Sequence, residues 1–303
     1  TLMRSSAASD VYKRQLLNIP SSTNKPIIAV PLTLGPTDKI SPFAQKLQQQ
    51  NPDIVEWRAD YIADDFSQAV MWQQVKVGAQ SELAQKDVSA MTEAKMLSEI
   101  DNAKQEFMAN WPQINVQIIK ELTGTVFNSI GGFPVLLTYR TVTQGGRGEM
   151  SPTEYATFMI TALHSGFPFA AVDVEYTLDE PLRQSIMDAA NKANVPVLLS
   201  YHDFESTPKN LPALISDMAD TSADIIKLAV MPESEKDVDY LLQTTKNVNI
   251  SQPLITMSMG EIGKRSRIEG YEYGSEMTFA VLDGTQGSAP GQLTINELLQ
   301  AWQ

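Results

Sequence analysis

The chain of 303 residues has no cysteine, which removes disulfides, thiolate metal sites and cysteine nucleophiles together. Histidine is almost as scarce, with only His164 and His202, so a histidine-built metal centre is not expected. Positive charge is in deficit: 23 Lys and Arg stand against 36 Asp and Glu, a net charge of -13. That balance speaks against nucleic acid or an anionic membrane as partner, and an anionic substrate would have to be drawn in by a few local arginines. No apolar run reaches the ~20 residues that span a bilayer. No secretory-type segment opens the chain either, and a cytoplasmic location is expected.

What is present suits a large core, because 43% of the residues are hydrophobic. Short apolar runs bounded by turn residues predict eight strands: Ile27–Leu32, Asp53–Trp57, Val135–Tyr139, Ala170–Val174, Val195–Ser200, Asp224–Ala229, Leu254–Met257 and Met277–Val281. Stretches with helical spacing lie between most of them, among them Glu154–Ser165, Pro181–Ala193, Pro212–Thr221 and Glu235–Thr245. Eightfold strand and helix alternation implies a parallel sheet closed into a (β/α)8 TIM barrel. An open doubly wound sheet is the alternative, but no phosphate fingerprint follows the first strand.

The second and third strands are nearly 80 residues apart in the sequence, more than one crossover needs. A helical insertion at about 64–116 is expected, with one or two extra helices between Asp64 and Trp111, and Gln117–Phe127 as the regular crossover helix. Residues 1–20 are expected to form a tail outside the fold, and Thr1 to about Gln15 resemble translated sequencing-adapter read-through rather than native sequence. A single catalytic barrel domain is then expected over 21–303.

Lys227 sits in the run Ala223-Asp224-Ile225-Ile226-Lys227-Leu228-Ala229-Val230. A buried ammonium must be paired or lose its proton, so this lysine is a candidate nucleophilic amine. His202 ends the preceding strand within Ser200-Tyr201-His202-Asp203-Phe204, and consecutive parallel strands usually neighbour each other. An imidazole and an amine could therefore face one reacting atom. Other strand ends carry Glu56 and Arg58, Arg140 followed by Gln144-Gly145-Gly146-Arg147-Gly148, Asp173 and Glu175, then Lys264, Arg265 and Arg267. Each also has an ordinary structural reading. A strand lysine commonly snorkels, arginines at a barrel rim form ion pairs, and glycines punctuate turns.

Six motifs in order outweigh those single readings. They are Glu56-Trp57-Arg58-Ala59-Asp60, Thr138-Tyr139-Arg140 followed by Gly145-Gly146, Ser200 to Phe204, Ile226-Lys227-Leu228-Ala229-Val230-Met231-Pro232, Met257-Ser258-Met259-Gly260 and Ser288-Ala289-Pro290-Gly291-Gln292. From about Pro26 to Leu298 the chain resembles the type I 3-dehydroquinate dehydratases of the shikimate pathway. The resemblance implies a dimeric (β/α)8 barrel that works without metal or nucleotide on the small molecule 3-dehydroquinate. It implies that Lys227 forms the Schiff base and His202 is the general acid and base. Glu56, Arg58 and Arg140 would hold the substrate's hydroxyls and ring face, Arg267 its carboxylate, and Ser288 and Gln292 would close over the ring.

Departures from the family pattern are also visible. Many members have Glu where Gln144 stands, and there the carboxylate helps orient the histidine; an amide can hydrogen-bond the imidazole but cannot raise its pKa by charge. Pro31 replaces a serine of some members, so a substrate contact there is lost or moves to Thr33. Two other functions are weighed against this one. A class I aldolase or transaldolase would need a Gly-rich anion site around Gly260, Gly263 and Gly270, and a non-catalytic scaffold would have no use for Lys227 and His202.

Overall fold

A computed structural model describes residues 25–85, 92–285 and 287–303; the expected tail lies outside them. Eight strands form one all-parallel sheet: β1 (Ile27–Leu32), β2 (Ile54–Arg58), β3 (Val135–Thr138), β4 (Ala171–Glu175), β5 (Val197–Asp203), β6 (Ile225–Val230), β7 (Leu254–Ser258) and β8 (Met277–Phe279). Each is paired with its neighbour in sequence, and β8 returns to pair with β1. The remaining seam, between β7 and β8, is bridged at Leu254 and Ser275, which nearly closes a (β/α)8 barrel.

Side chains alternate in and out along each strand. Ile28, Val30, Val55, Trp57, Leu137, Tyr139, Val172, Leu199, Ile226 and Leu228 point outward and pack beneath the helices. Ile27, Ala29, Ile54, Leu136, Ala171, Leu198, Ile225, Ile255 and Met277 point inward and fill the barrel as a separate apolar cluster. Four strands, β2, β4, β5 and β6, start one or two residues later than the sequence suggests, and at β2 and β6 an aspartate marks the start. Asp53 and Asp224 each donate their backbone N–H to the carbonyl of Ile28 and Val197 and use Oδ2 to accept the N–H of the same residue at 2.8 Å.

The outer helices are α1 (Ile40–Gln50), α2 (Gln68–Gln85), α3 (Glu93–Ser129), α4 (Pro152–Leu163), α5 (Glu180–Lys192), α6 (Leu211–Ala219), α7 (Glu235–Asn247), α8 (Gly260–Glu269) and α9 (Ile295–Ala301). Capping boxes of Ser151 with Glu154, Ser234 with Asp237 and Thr294 with Glu297 start α4, α7 and α9, satisfying first-turn N–H groups.

The expected separate crossover helix Gln117–Phe127 is corrected here. It is the last part of α3, one continuous helix of 37 residues that runs through Pro112. Proline removes one helical hydrogen bond, but tertiary contacts grip the helix on both sides of it. On one side Phe107 packs between Trp72 and Trp111, with ring centroids 5.7 and 5.5 Å apart; on the other Ile119 and Val126 enter the barrel's outer core. The insertion is thus the α2 helix plus the first half of α3, welded to the crossover.

Candidate active site

At the C-terminal end of the strands the inward positions change character. Above Ile54 come Glu56 and Arg58, above Leu136 come Thr138 and Arg140, above Ala171 come Asp173 and Glu175, above Leu198 come Ser200 and His202, and above Ile225 comes Lys227. Parallel register aligns Ser200 with Lys227 and His202 with Ala229. His202 therefore lies one inward position above Lys227 on the adjacent strand. Both line one cavity whose wall includes Glu56, Arg58, Arg140, Gln144, Arg267, Ser288 and Gln292. Lys227, His202, Glu56, Arg58, Arg140, Arg267, Ser288, Gln292 and Gln144 are thus all brought into this one cavity, with Met257 and Phe279 as apolar wall.

Lys227 is 4% exposed. Its Nζ donates to Asp173 Oδ2 at 3.2 Å, lies 3.8 Å from Glu56 Oε1 and sits 4.2 Å from the centre of the Phe279 ring. Burial depresses its pKa and outweighs the opposing pull of Asp173 and Glu56, so a neutral amine is accessible at lower pH than for a free lysine. His202 is also pushed well below the ordinary imidazole range, first by burial and then by Arg140, Lys227 and Arg58. It is a neutral base at neutral pH.

The arginines differ in their commitments. Arg58 forms a forked pair with Asp60, Nε to Oδ1 and Nη2 to Oδ2, both at 2.8 Å. Arg140 donates to Asp173 at 2.6 Å, to Ser200 at 2.9 Å and to Glu175 at 3.1 Å. Arg267 is buried without a carboxylate among the described residues: its Nη atoms reach only Met257 Sδ and the carbonyls of Phe279 and Pro290, at 3.4 to 3.5 Å, and Nε has no partner. Burial accordingly lowers its pKa to about 10. Lys264 and Arg265, adjacent on α8, stay outside and pair with Glu261 and with Glu235, Asp239 and Glu269.

Two supporting positions are now placed. Gln144 does not bond the imidazole; its Oε1 accepts the backbone N–H of His202 at 2.9 Å, and His202 Nδ1 has no hydrogen-bond partner. The amide thus fixes the strand end that carries the ring. Pro31 and Thr33 line a separate open groove with Tyr61 and Arg147, not the cavity of Lys227. The turn glycines have a packing role: Gly145 has φ +77, and a Cβ there would stand 2.0 Å from the Phe204 ring. In the β8 loop, Gln292 Oε1 accepts from Ser288 N at 2.7 Å, and Gly260 N donates to Pro290 O at 3.2 Å, so the loop is folded over the cavity edge. Gly263 lacks a Cβ because Ser258 would lie 2.4 Å from it; close packing of α8 on β7, not anion binding, accounts for that glycine.

Asp173 and Ser200 were noted at their strand ends but given no role in the site. Their signal was the same one that marked Lys227, a polar residue at an inward position of an apolar strand.

A model of the type I 3-dehydroquinase family matches residues 84–303. The chain belongs to the type I 3-dehydroquinase family. It is 32% identical over 288 residues to the 3-dehydroquinate dehydratase of Lactiplantibacillus plantarum, covering 94% of both chains. With that of Klebsiella pneumoniae it shares 33% over 286 residues, 93% of this chain and 94% of the relative. Its fold is similar to a type I 3-dehydroquinate dehydratase of Clostridium difficile solved with covalently modified comenic acid, with a TM-score of 0.68, 28% identity, and 91% and 90% of the two chains covered. The Enterococcus faecalis 3-dehydroquinate dehydratase superposes with a TM-score of 0.65 at 25% identity over 94% and 96%. As in other TIM barrels, the polar cavity of this type I 3-dehydroquinase lies at the C-terminal strand ends.

Proposed function

We propose that Lys227 and His202 carry out the imine-mediated dehydration of 3-dehydroquinate to 3-dehydroshikimate. Membership of the type I family makes the protein a hydro-lyase of the shikimate pathway that works through a Schiff base. The observation that carries the residue assignment is a buried strand lysine with a neutral imidazole one position above it, in one cavity with an arginine that meets no carboxylate among the described residues.

In this reading the Lys227 amine adds to the ring ketone, and loss of water leaves a protonated imine. That cation withdraws electrons and acidifies the adjacent carbon, from which His202 takes a proton to give an enamine. The electron pair then returns and expels the β-hydroxyl, which leaves as water with the proton held by His202. Hydrolysis of the imine frees the product and the lysine. Arg267 receives the substrate carboxylate, since a guanidinium fork matches a carboxylate and recovers the cost of its own burial. Glu56, with Arg58 and Arg140 held by their carboxylates, orients the hydroxyls and ring face, and Ser288 and Gln292 close the β8 loop over it. Gln144 supports His202 through the backbone.

The same proposal includes one catalytic domain over 21–303, a homodimer and a cytoplasmic location. The last two rest on family likeness; no helix among the described residues is long and apolar enough to cross a membrane. The test is peptide mapping by mass spectrometry after incubation with 3-dehydroquinate and borohydride. A reduced adduct on Lys227, absent in Lys227→Ala, is expected. Folded, substrate-binding protein without that adduct would overturn the assignment in favour of a binding scaffold.

A further inference from the structure

Asp173 is fully buried at the inward position of β4. Its Oδ2 accepts from Arg140 Nη2, two residues past the end of β3, at 2.6 Å and from Lys227 Nζ of β6 at 3.2 Å, while Oδ1 accepts from Ser200 Oγ of β5 at 2.6 Å. Donors from β5, β6 and the segment that follows β3 thus fix both oxygens. Burial by itself would raise this carboxyl, but Arg140 and then Lys227 bring it down to about 2, so it is an anion at every working pH. The other charged or titratable groups around the pair are Glu56 and Arg58 from β2, Glu175 from the end of β4, His202 from β5, Arg267 from α8 and the Tyr155 hydroxyl from α4. Glu56 stands farther from the lysine, at 3.8 Å, and also accepts from Thr138.

Summed over its steps, imine formation turns an ammonium and a ketone into an iminium and water. A carbon–nitrogen bond forms, the carbon–oxygen bond breaks, and the oxygen leaves with two protons from the nitrogen. The positive charge stays on that nitrogen. A carboxylate held beside it pairs with a cation before and after, and it opposes loss of the proton from the imine. A deprotonated imine is a far weaker electron sink, so that proton is needed when His202 removes the carbon-bound hydrogen.

We propose that Asp173 is the fixed counter-ion of the covalent intermediate, keeping the Lys227 imine protonated through the elimination. The proposal rests on the imine reading above and adds a residue to it.

Its test uses two reductants on the full chain with 3-dehydroquinate, since cyanoborohydride reduces protonated imines and borohydride reduces both forms. In the wild type, the ratio of Lys227 adduct from cyanoborohydride to that from borohydride should stay level between about pH 7 and about pH 9, around the range where neighbouring charges move such equilibria. In Asp173→Asn the ratio should fall with rising pH, and the basic limb of kcat should move down by about 1–3 pH units. KM should change far less than kcat. A wild-type ratio that already falls tenfold across the range, or an Asp173→Asn profile matching the wild type, would overturn the counter-ion role. The wild-type arm needs no variant and decides the matter if Asp173→Asn does not fold. Absence of any borohydride adduct in the wild type would instead overturn the imine reading itself.

Discussion

The lower and upper halves of the barrel interior are built from the same strands, two residues apart, yet obey opposite rules. Below, Ile54, Leu136, Ala171, Leu198 and Ile225 interlock as an apolar plug. Above, at the next inward positions, stand Glu56, Thr138, Asp173, Ser200 and Lys227, all buried. The lower layer stabilises the fold by leaving water and filling space. Buried charge gives much less, because desolvation offsets most of what pairing returns. The upper layer is therefore a place where stability has been traded for chemistry, and Arg267, which enters the same cavity from α8 and meets no carboxylate among the described residues, extends it.

The sharpest way to test that contrast is to make the upper layer resemble the lower one. Arg267→Met should lower kcat/KM by about 10²- to 10³-fold through loss of the carboxylate partner. The same change should raise unfolding free energy by at least about 1 kcal/mol, since an unpaired buried charge is removed. Arg267→Lys keeps the charge but loses the fork, and KM for 3-dehydroquinate should still rise substantially. Steady-state kinetics and urea melts check both, and unchanged KM in the Lys variant would remove Arg267 from carboxylate binding.

The converse change is Leu198→Ala, directly below Ser200 on β5. It should cost about 2–5 kcal/mol in urea unfolding, with kcat per folded molecule nearly intact. A large kcat loss without destabilisation would show that the plug and the site are not separable.

A third expectation concerns pH. His202 is held neutral in the folded state, whereas an unfolded chain protonates its imidazole near the usual value of 6.5. The folded pKa is the lower one, so its contribution is complete above that value and is lost as pH falls toward the folded pKa, by at most about 1.4 kcal/mol per pH unit. Thermal melts from neutral to mildly acid pH should show the loss, and His202→Gln should flatten it. At still lower pH, Asp173 adds a second loss between its usual value of 3.8 and about 2.

The smallest effect is expected at Gln144. A carboxylate there would accept the same His202 N–H and add a negative charge beside the ring. Gln144→Glu should move the acid limb of kcat up by about one pH unit, with little change at the optimum. An unaltered profile would mean that the side chain acts only on the backbone.

Much of this was legible in the chain. The eight apolar runs marked the strands, and the family motifs named the cavity residues around Lys227 and His202. Less legible were the residues that hold them. Asp173 is 54 positions from Lys227 in the sequence, and nothing local says that β4 and β6 each lie beside β5 with these side chains converging. Helix α3 was divided between extra helices ending near Trp111 and a crossover beginning at Gln117 because propensity is local, whereas Phe107 against Trp72 and Ile119 in the outer core hold it as one helix through tertiary contacts. For Gln144 the sequence allowed a bond to the imidazole, whereas the structure gives one to the His202 backbone: spacing can bring a residue near, but only the turn after β3 decides which hydrogen it faces.

What the sequence by itself determined was the face of each strand. A side-chain period of two follows from backbone geometry, so an apolar run with a charge at every second late position already declares which residues point inward. What only the tertiary structure decided was who meets whom, because register between neighbouring strands and closure at the β7 and β8 seam depend on loops, twist and helix packing summed over the whole chain.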